Sequence, residues 1–108
     1  MAKAAHRYDF YLPITFNDGR PIADTTFDAV ERRLLARFGG VTTHQRDFPL
    51  RGMWRARAQV YVDQVIVMAV LDFRIRGSAR FVAQLKRDLL HDFDQLEMLI
   101  TESKLWVH

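Results

Sequence analysis

The chain contains no cysteine in its 108 residues, which excludes disulfides, thiolate metal centres and cysteine nucleophiles. Proline is scarce, at three residues, and glycine numbers five. No low-complexity segment or linker interrupts the sequence. No stretch reaches the roughly 18 apolar residues that a membrane span needs. The most apolar run, VIVMAVLDF, has the length of one strand. The N-terminal MAKAAHRYDF carries no apolar run of signal-peptide length, so the expected location is the cytoplasm, away from membranes. Also missing are G-x-S-x-G, a glycine-rich phosphate loop, the dinucleotide fingerprint, H-E-x-x-H and H-x-x-x-H. No catalytic residue, metal or cofactor is therefore indicated.

What is present is an ordinary globular composition, 49% hydrophobic and 27% charged, of a length that makes residues 1–108 one domain. Charge is unevenly laid out. Residues 1–31 carry three basic and five acidic groups, residues 32–87 twelve against three, and residues 88–108 one against five. Eleven of the twelve central bases are arginine, which binds carboxylate and phosphate in a forked geometry and stacks on rings.

YDFYLPITF alternates, with Tyr8, Phe10, Leu12, Ile14 and Phe16 on one face, and predicts a half-buried strand. NDGRP follows as a turn. DTTFDAVERRLLARFGG predicts a helix with Asp24 or Thr25 as cap, a Phe27, Val30, Leu34, Phe38 stripe, and Gly39 or Gly40 as its left-handed stop. Val41–Thr43 begins a second strand, which Pro49 and Gly52 are expected to break. Arg57–Phe73 reads as a long strand region with a kink or bulge at Asp63-Gln64. Its Val65–Phe73 half is apolar on both faces and so should be covered on both. Ser78 is placed to cap a second helix, striped by Val82, Leu85, Leu89, Phe93 and Leu96. EMLITESKLWVH predicts a strand, a turn at Glu102-Ser103 and a short return strand. The order β-α-β-β-α-β is the α+β, ferredoxin-like plan: two helices on one face of an antiparallel sheet, here with a possible extra C-terminal strand.

YLPITFNDGRPI, LLARFGGVT, GMW and Gln95 in DQLEMLI together carry a resemblance. With them the chain resembles a group of small uncharacterised bacterial proteins of this plan, marked by an FGGVT…G-x-W pattern. The resemblance implies the fold and carries over no activity.

The segment FGGVTTHQRDFPLRGMWRAR is read as a long connection between the second and third strands. His44, Phe48, Trp54, Arg55 and Arg57 in it are the candidate ligand or interface residues. Tryptophan and arginine are the side chains that most often dominate interfaces. The expected partner is a second copy of the chain, joined through this connection or the sheet face. Two other readings stay open. One is a pocket for a small aromatic or anionic ligand, oriented by Arg55, His44 or Tyr11, in a ligand-binding protein or a cofactor-free enzyme. The other is RNA or single-stranded DNA bound through the arginine-rich middle. The HDFD segment, His91–Asp94, reads as a solvated helix face.

Overall fold

A computed structural model describes the whole chain, Met1–His108. The protein is α+β, with two helices and a five-stranded antiparallel sheet. The elements run β1 (Lys3–Pro13), α1 (Asp24–Phe38), β2 (Thr42–Thr43), β3 (Leu50–Ala56), β4 (Gln59–Asp72), α2 (Ala79–Asp92) and β5 (Ile100–Val107). β1 lies between β4 and β5, while β2 and β3 share the other edge of β4. The arrangement is consistent with the ferredoxin-like plan.

Alternation sets the core. The register pairs Tyr8 with Val70, Phe10 with Met68 and Leu12 with Ile66, so these six side chains share one face of the sheet. Phe27, Val30 and Leu34 of α1, and Leu85 and Leu89 of α2 followed by Phe93, close onto that face in a single buried cluster. Phe27 and Phe93 meet edge to face at 5.4 Å. The opposite face has no helix. On it Val67 is buried, but Val65, Ala69 and Leu71 are only half-buried, so the chain itself supplies only part of the second cover expected for this strand.

Helix ends follow local chemistry. Gly39 terminates α1 at φ +79°, its N–H bonded to the Leu35 carbonyl. The expected Asp24 or Thr25 cap is not formed. Ala23 holds the cap position, and Asp24 instead accepts a hydrogen bond from Arg46 at 3.0 Å. Ser78 does occupy the cap position of α2, but its hydroxyl turns away from the helix and donates to Asp72.

Three expectations are corrected. Pro49 closes the interruption between β2 and β3, as a breaker should, but Gly52 does not break the chain. β3 starts directly after Pro49 and runs through Gly52, because β4 offers it a full ladder from Gln59 to Val65. Asp63-Gln64 is no kink or bulge, since β4 continues through it in unbroken register. Glu102-Ser103 is no turn. β1 begins at Lys3, earlier than its alternation showed, and so pairs with β5 all the way to Val107, leaving no separate return strand.

β2 and β3 are not collinear in register. Thr42 faces Ala69 and Leu50 faces Val65, so eight residues on this edge advance against four on β4. The loop His44–Pro49 takes up the excess. Past Val65, where β1 ends opposite at Pro13, β3 and β4 continue alone as a two-stranded arm closed by Arg57-Ala58, with Arg57 at φ +59°.

Candidate functional site

Every residue from Met53 to Gln64 is exposed. On one face of the arm the register sets Met53 opposite Val62 and Arg55 opposite Val60. On the other it sets Gly52 opposite Asp63 and Trp54 opposite Tyr61. The Trp54 and Tyr61 rings stack at 5.9 Å and 16°. Both faces of the ribbon are thus apolar in part, and neither lies under a helix.

At the root of the arm a pocket of about 540 Å³ opens. Tyr11, Pro13, Val65, Leu50, Trp54 and Leu99 give it an apolar lining. Asp63, Arg51, Gln95 and Glu97 supply its polar groups, and Met53 also touches it. Glu97 is committed elsewhere. Its hydrogen bond to Lys86 at 2.7 Å is the main cause of a carboxyl held below its usual range, followed by the Met98 N–H. Asp63 makes no ion pair. Three segments distant in sequence meet here: Tyr11 and Pro13 of β1, Gly52–Trp54 of β3 and the Gln95 loop. A second hollow of about 540 Å³ lies between Gly39-Gly40 and Leu71. Its only charged lining residue is Arg7, which Asp9 holds at 3.0 Å.

The other constellation is a polar knot buried between the sheet and the helix ends. Asp72 accepts from Ser78 Oγ at 2.6 Å, Arg74 Nη1 at 3.0 Å and Arg74 N at 3.1 Å. Arg37 donates to Ser78 Oγ at 3.1 Å, and Ser78 N donates to Tyr8 Oη at 2.9 Å. His6 Nε2 lies 3.1 Å from the Ile75 carbonyl, and its Nδ1 faces Glu102 at 3.7 Å. Burial would push the Asp72 carboxyl up, but the Ser78 and Arg74 hydrogen bonds together outweigh it and hold the group below 3.8. Burial raises the Tyr8 hydroxyl. Arg37 Nε and His6 Nδ1 are buried without a hydrogen-bond partner. The bonds that are made tie Ser78, at the start of α2, to Asp72 and Tyr8 of the sheet, so the knot fastens α2 to the sheet.

Gly77 makes this packing possible. It sits at φ +68°, and a Cβ there would lie 2.6 Å from Tyr8 Oη and 3.2 Å from the His6 ring. Gly77→Ala is expected to cost about 2–4 kcal/mol, from left-handed strain plus overpacking. A urea titration reads the loss. Adding Tyr8→Phe, which removes the nearest atom, should recover part of it, and strictly additive effects would show that no clash exists.

The candidate residues from the sequence do not form one site. His44 is exposed at the end of β2, near Asp24, Glu31 and Asp47. Phe48 stands on the loop, 77% exposed. Arg55 lies on the Met53 face of the arm and Arg57 at its tip. Trp54 alone of the five lines the pocket. In the HDFD segment His91, Asp92 and Asp94 are exposed, and the neighbouring Asp88 is held by Arg33 at 2.7 Å. Sequence reading missed the knot, although it had a signal. Asp72 continues the Ile66, Met68, Val70 row, and His6 continues the Tyr8, Phe10, Leu12 row.

Compared with protein-family models, curated proteins and solved structures, the chain matches none. No helix is long and apolar enough to cross a membrane.

Proposed function

We propose that the protein is a cytoplasmic homodimeric binding and assembly module that self-associates through the β3–β4 arm. In this reading β2 and β3 are one interrupted edge strand, and the domain is βαββαβ, ferredoxin-like. A single observation carries it: Met53, Val62 and Val60 form an apolar row on one face of the arm at 60%, 49% and 48% exposure. A two-stranded ribbon is marginal by itself in water. One with an uncovered apolar row gains stability when a partner covers that row.

Charge argues for a second copy as that partner. Arg51, Arg55 and Arg57 make the arm basic against the single acid Asp63, whereas residues 88–108, with Asp88 and Glu97 already paired to Arg33 and Lys86, still expose Asp92, Asp94 and Glu102 against Lys104. Two arms crossing head to tail bring the basic tip of each toward the acidic α2–β5 segment of the other. Native mass spectrometry should give twice the 12.7 kDa chain. A monomer at micromolar concentration would defeat the reading.

The same three arginines favour a second reading, in which the arm contacts nucleic-acid phosphates. Elsewhere three central arginines are neutralised within the chain, Arg33 by Asp88, Arg46 by Asp24 and Arg74 by Asp72, while Arg32, Arg76, Arg80 and Arg87 are exposed with no carboxylate partner. Three phosphate contacts imply a log–log salt slope of about −2 on a single strand, measurable by titrating single-stranded RNA at several salt concentrations.

A further inference from the structure

Gly52 stands in the middle of β3, where glycine weakens a strand. Three structural reasons for a strand glycine are absent. The β3–β4 register is continuous, so there is no bulge. Gly52 has no positive φ. A Cβ built on it would meet only the Asp63 carbonyl oxygen, at an ordinary 3.8 Å. The fold therefore tolerates a side chain at this position, and what glycine leaves is space. That space belongs to the arm-root pocket, bounded by Leu50 on one side along the strand and Trp54 on the other.

We propose that this pocket binds a planar aromatic molecule bearing a cationic nitrogen, with the ring lying over Gly52 against Trp54 and the nitrogen at Asp63. Size fits, since about 540 Å³ is within the range of small-molecule sites. Shape fits, because Tyr61 stacks on Trp54 and holds the indole in place before a ligand arrives. Charge sets the class. Asp63 is directly opposite Gly52 on the same face, and it is the pocket carboxylate without an ion-pair partner, Glu97 being taken by Lys86. Arg51 is in register with Gln64 and so belongs to the other face of the ribbon. An aromatic cation gains from the free carboxylate and from the Trp54 and Tyr11 rings together. The proposal does not rest on the dimer, which uses the Met53–Val60–Val62 face and shares only Met53 with the pocket.

The test is an NMR titration of the ¹⁵N-labelled chain with 4-aminoquinoline, a planar cation, and with quinoline-4-carboxylate, its anionic counterpart. The cation should shift the Gly52 and Trp54 amides and the Trp54 indole N–H saturably. The anion should bind about tenfold more weakly, and Asp63→Asn should weaken the cation by about the same factor. Gly52→Val should keep a dispersed spectrum and an unchanged melting temperature while losing the shifts. Failure of the cation to move these signals overturns the proposal, as does equal or tighter binding of the carboxylate. So does undiminished binding by Gly52→Val, or its failure to fold, which would show that the fold itself needs the glycine. None of these outcomes depends on whether the protein is a dimer.

Discussion

Replacing Asp72 with alanine should destabilise the protein by about 3 kcal/mol, a large share of the 5–15 kcal/mol that holds a domain of this size together. The side chain is wholly buried, and three donors converge on it. Alanine would leave the Ser78 hydroxyl without its acceptor and the Arg74 N–H unmatched in the interior, each a desolvated group with nothing in return. Arg74 itself is about half exposed and can turn its guanidinium to water, which keeps the loss at the low end for a broken buried ion pair. The melting temperature should fall by about 10–20 °C. The pH dependence has a definite sign. The folded-state carboxyl titrates below its unfolded value of 3.8, so its stabilisation is complete above that value and is lost as pH falls through the depressed folded value. Asp72→Asn keeps the shape and removes the charge. It should cost less than alanine and flatten the acid limb of the stability curve. An acid limb as steep as in the parent chain would show that the carboxylate is not what the knot depends on.

Much of the fold was legible because its signals are local. The β1 row, the α1 stripe, the α2 stripe as far as Phe93 and the Gly39 stop depend on spacing and on one backbone conformation, and the chain folds as those features require. Leu96, expected on the α2 stripe, instead lies beyond the helix end at Asp92 and is 97% exposed. What was not legible depends on partners distant in sequence. β3 read as a broken connection because Pro49 and Gly52 are breakers in isolation. The ladder from β4, residues 59–65, overrides that local preference at Gly52. The hairpin at Arg57-Ala58 carries no glycine or asparagine, so nothing announced that the chain reverses there. At Glu102-Ser103 the polar pair suggested a turn, but uninterrupted pairing with β1 decided otherwise.

The site shows the same division. Trp54 was legible as an anchor because its residue type is informative anywhere. The pocket around it was not, since Tyr11, Trp54 and Gln95 come from three elements that only the tertiary fold brings together. Arg55 and Arg57 share a short segment with Trp54, yet the period of two in a strand and the reversal at its tip send them to different surfaces. The polar knot was half visible. A charged residue extending a buried row is a stated anomaly in any sequence, but its resolution needed Ser78 and Arg74, supplied by the segment after the strand.

Val62→Lys should weaken self-association by at least about a hundredfold. The argument starts from position. Val62 sits directly opposite Met53, between the Arg55–Val60 and Arg51–Gln64 pairs on the same face. A two-fold interface contains each substitution twice, so a loss of about 1.5–2 kcal/mol per site, the transfer value of a buried valine, becomes about 3–4 kcal/mol for the dimer. Lysine is chosen over glutamate because Arg51 and Arg55 flank the position. A carboxylate there would find partners, whereas an ammonium group adds repulsion within each arm and across the interface. The side chain is 49% exposed in the single chain, so the helix-covered core and the knot should keep their melting behaviour. Sedimentation velocity across a concentration series reads the dissociation constant, with Met53→Leu, similar in volume and still apolar, as the variant expected to associate normally. If Val62→Lys associates as tightly as the parent chain, the Met53–Val60–Val62 row is not the contact, and the half-buried, helix-free sheet face of Val65, Ala69 and Leu71 takes its place as the surface to test.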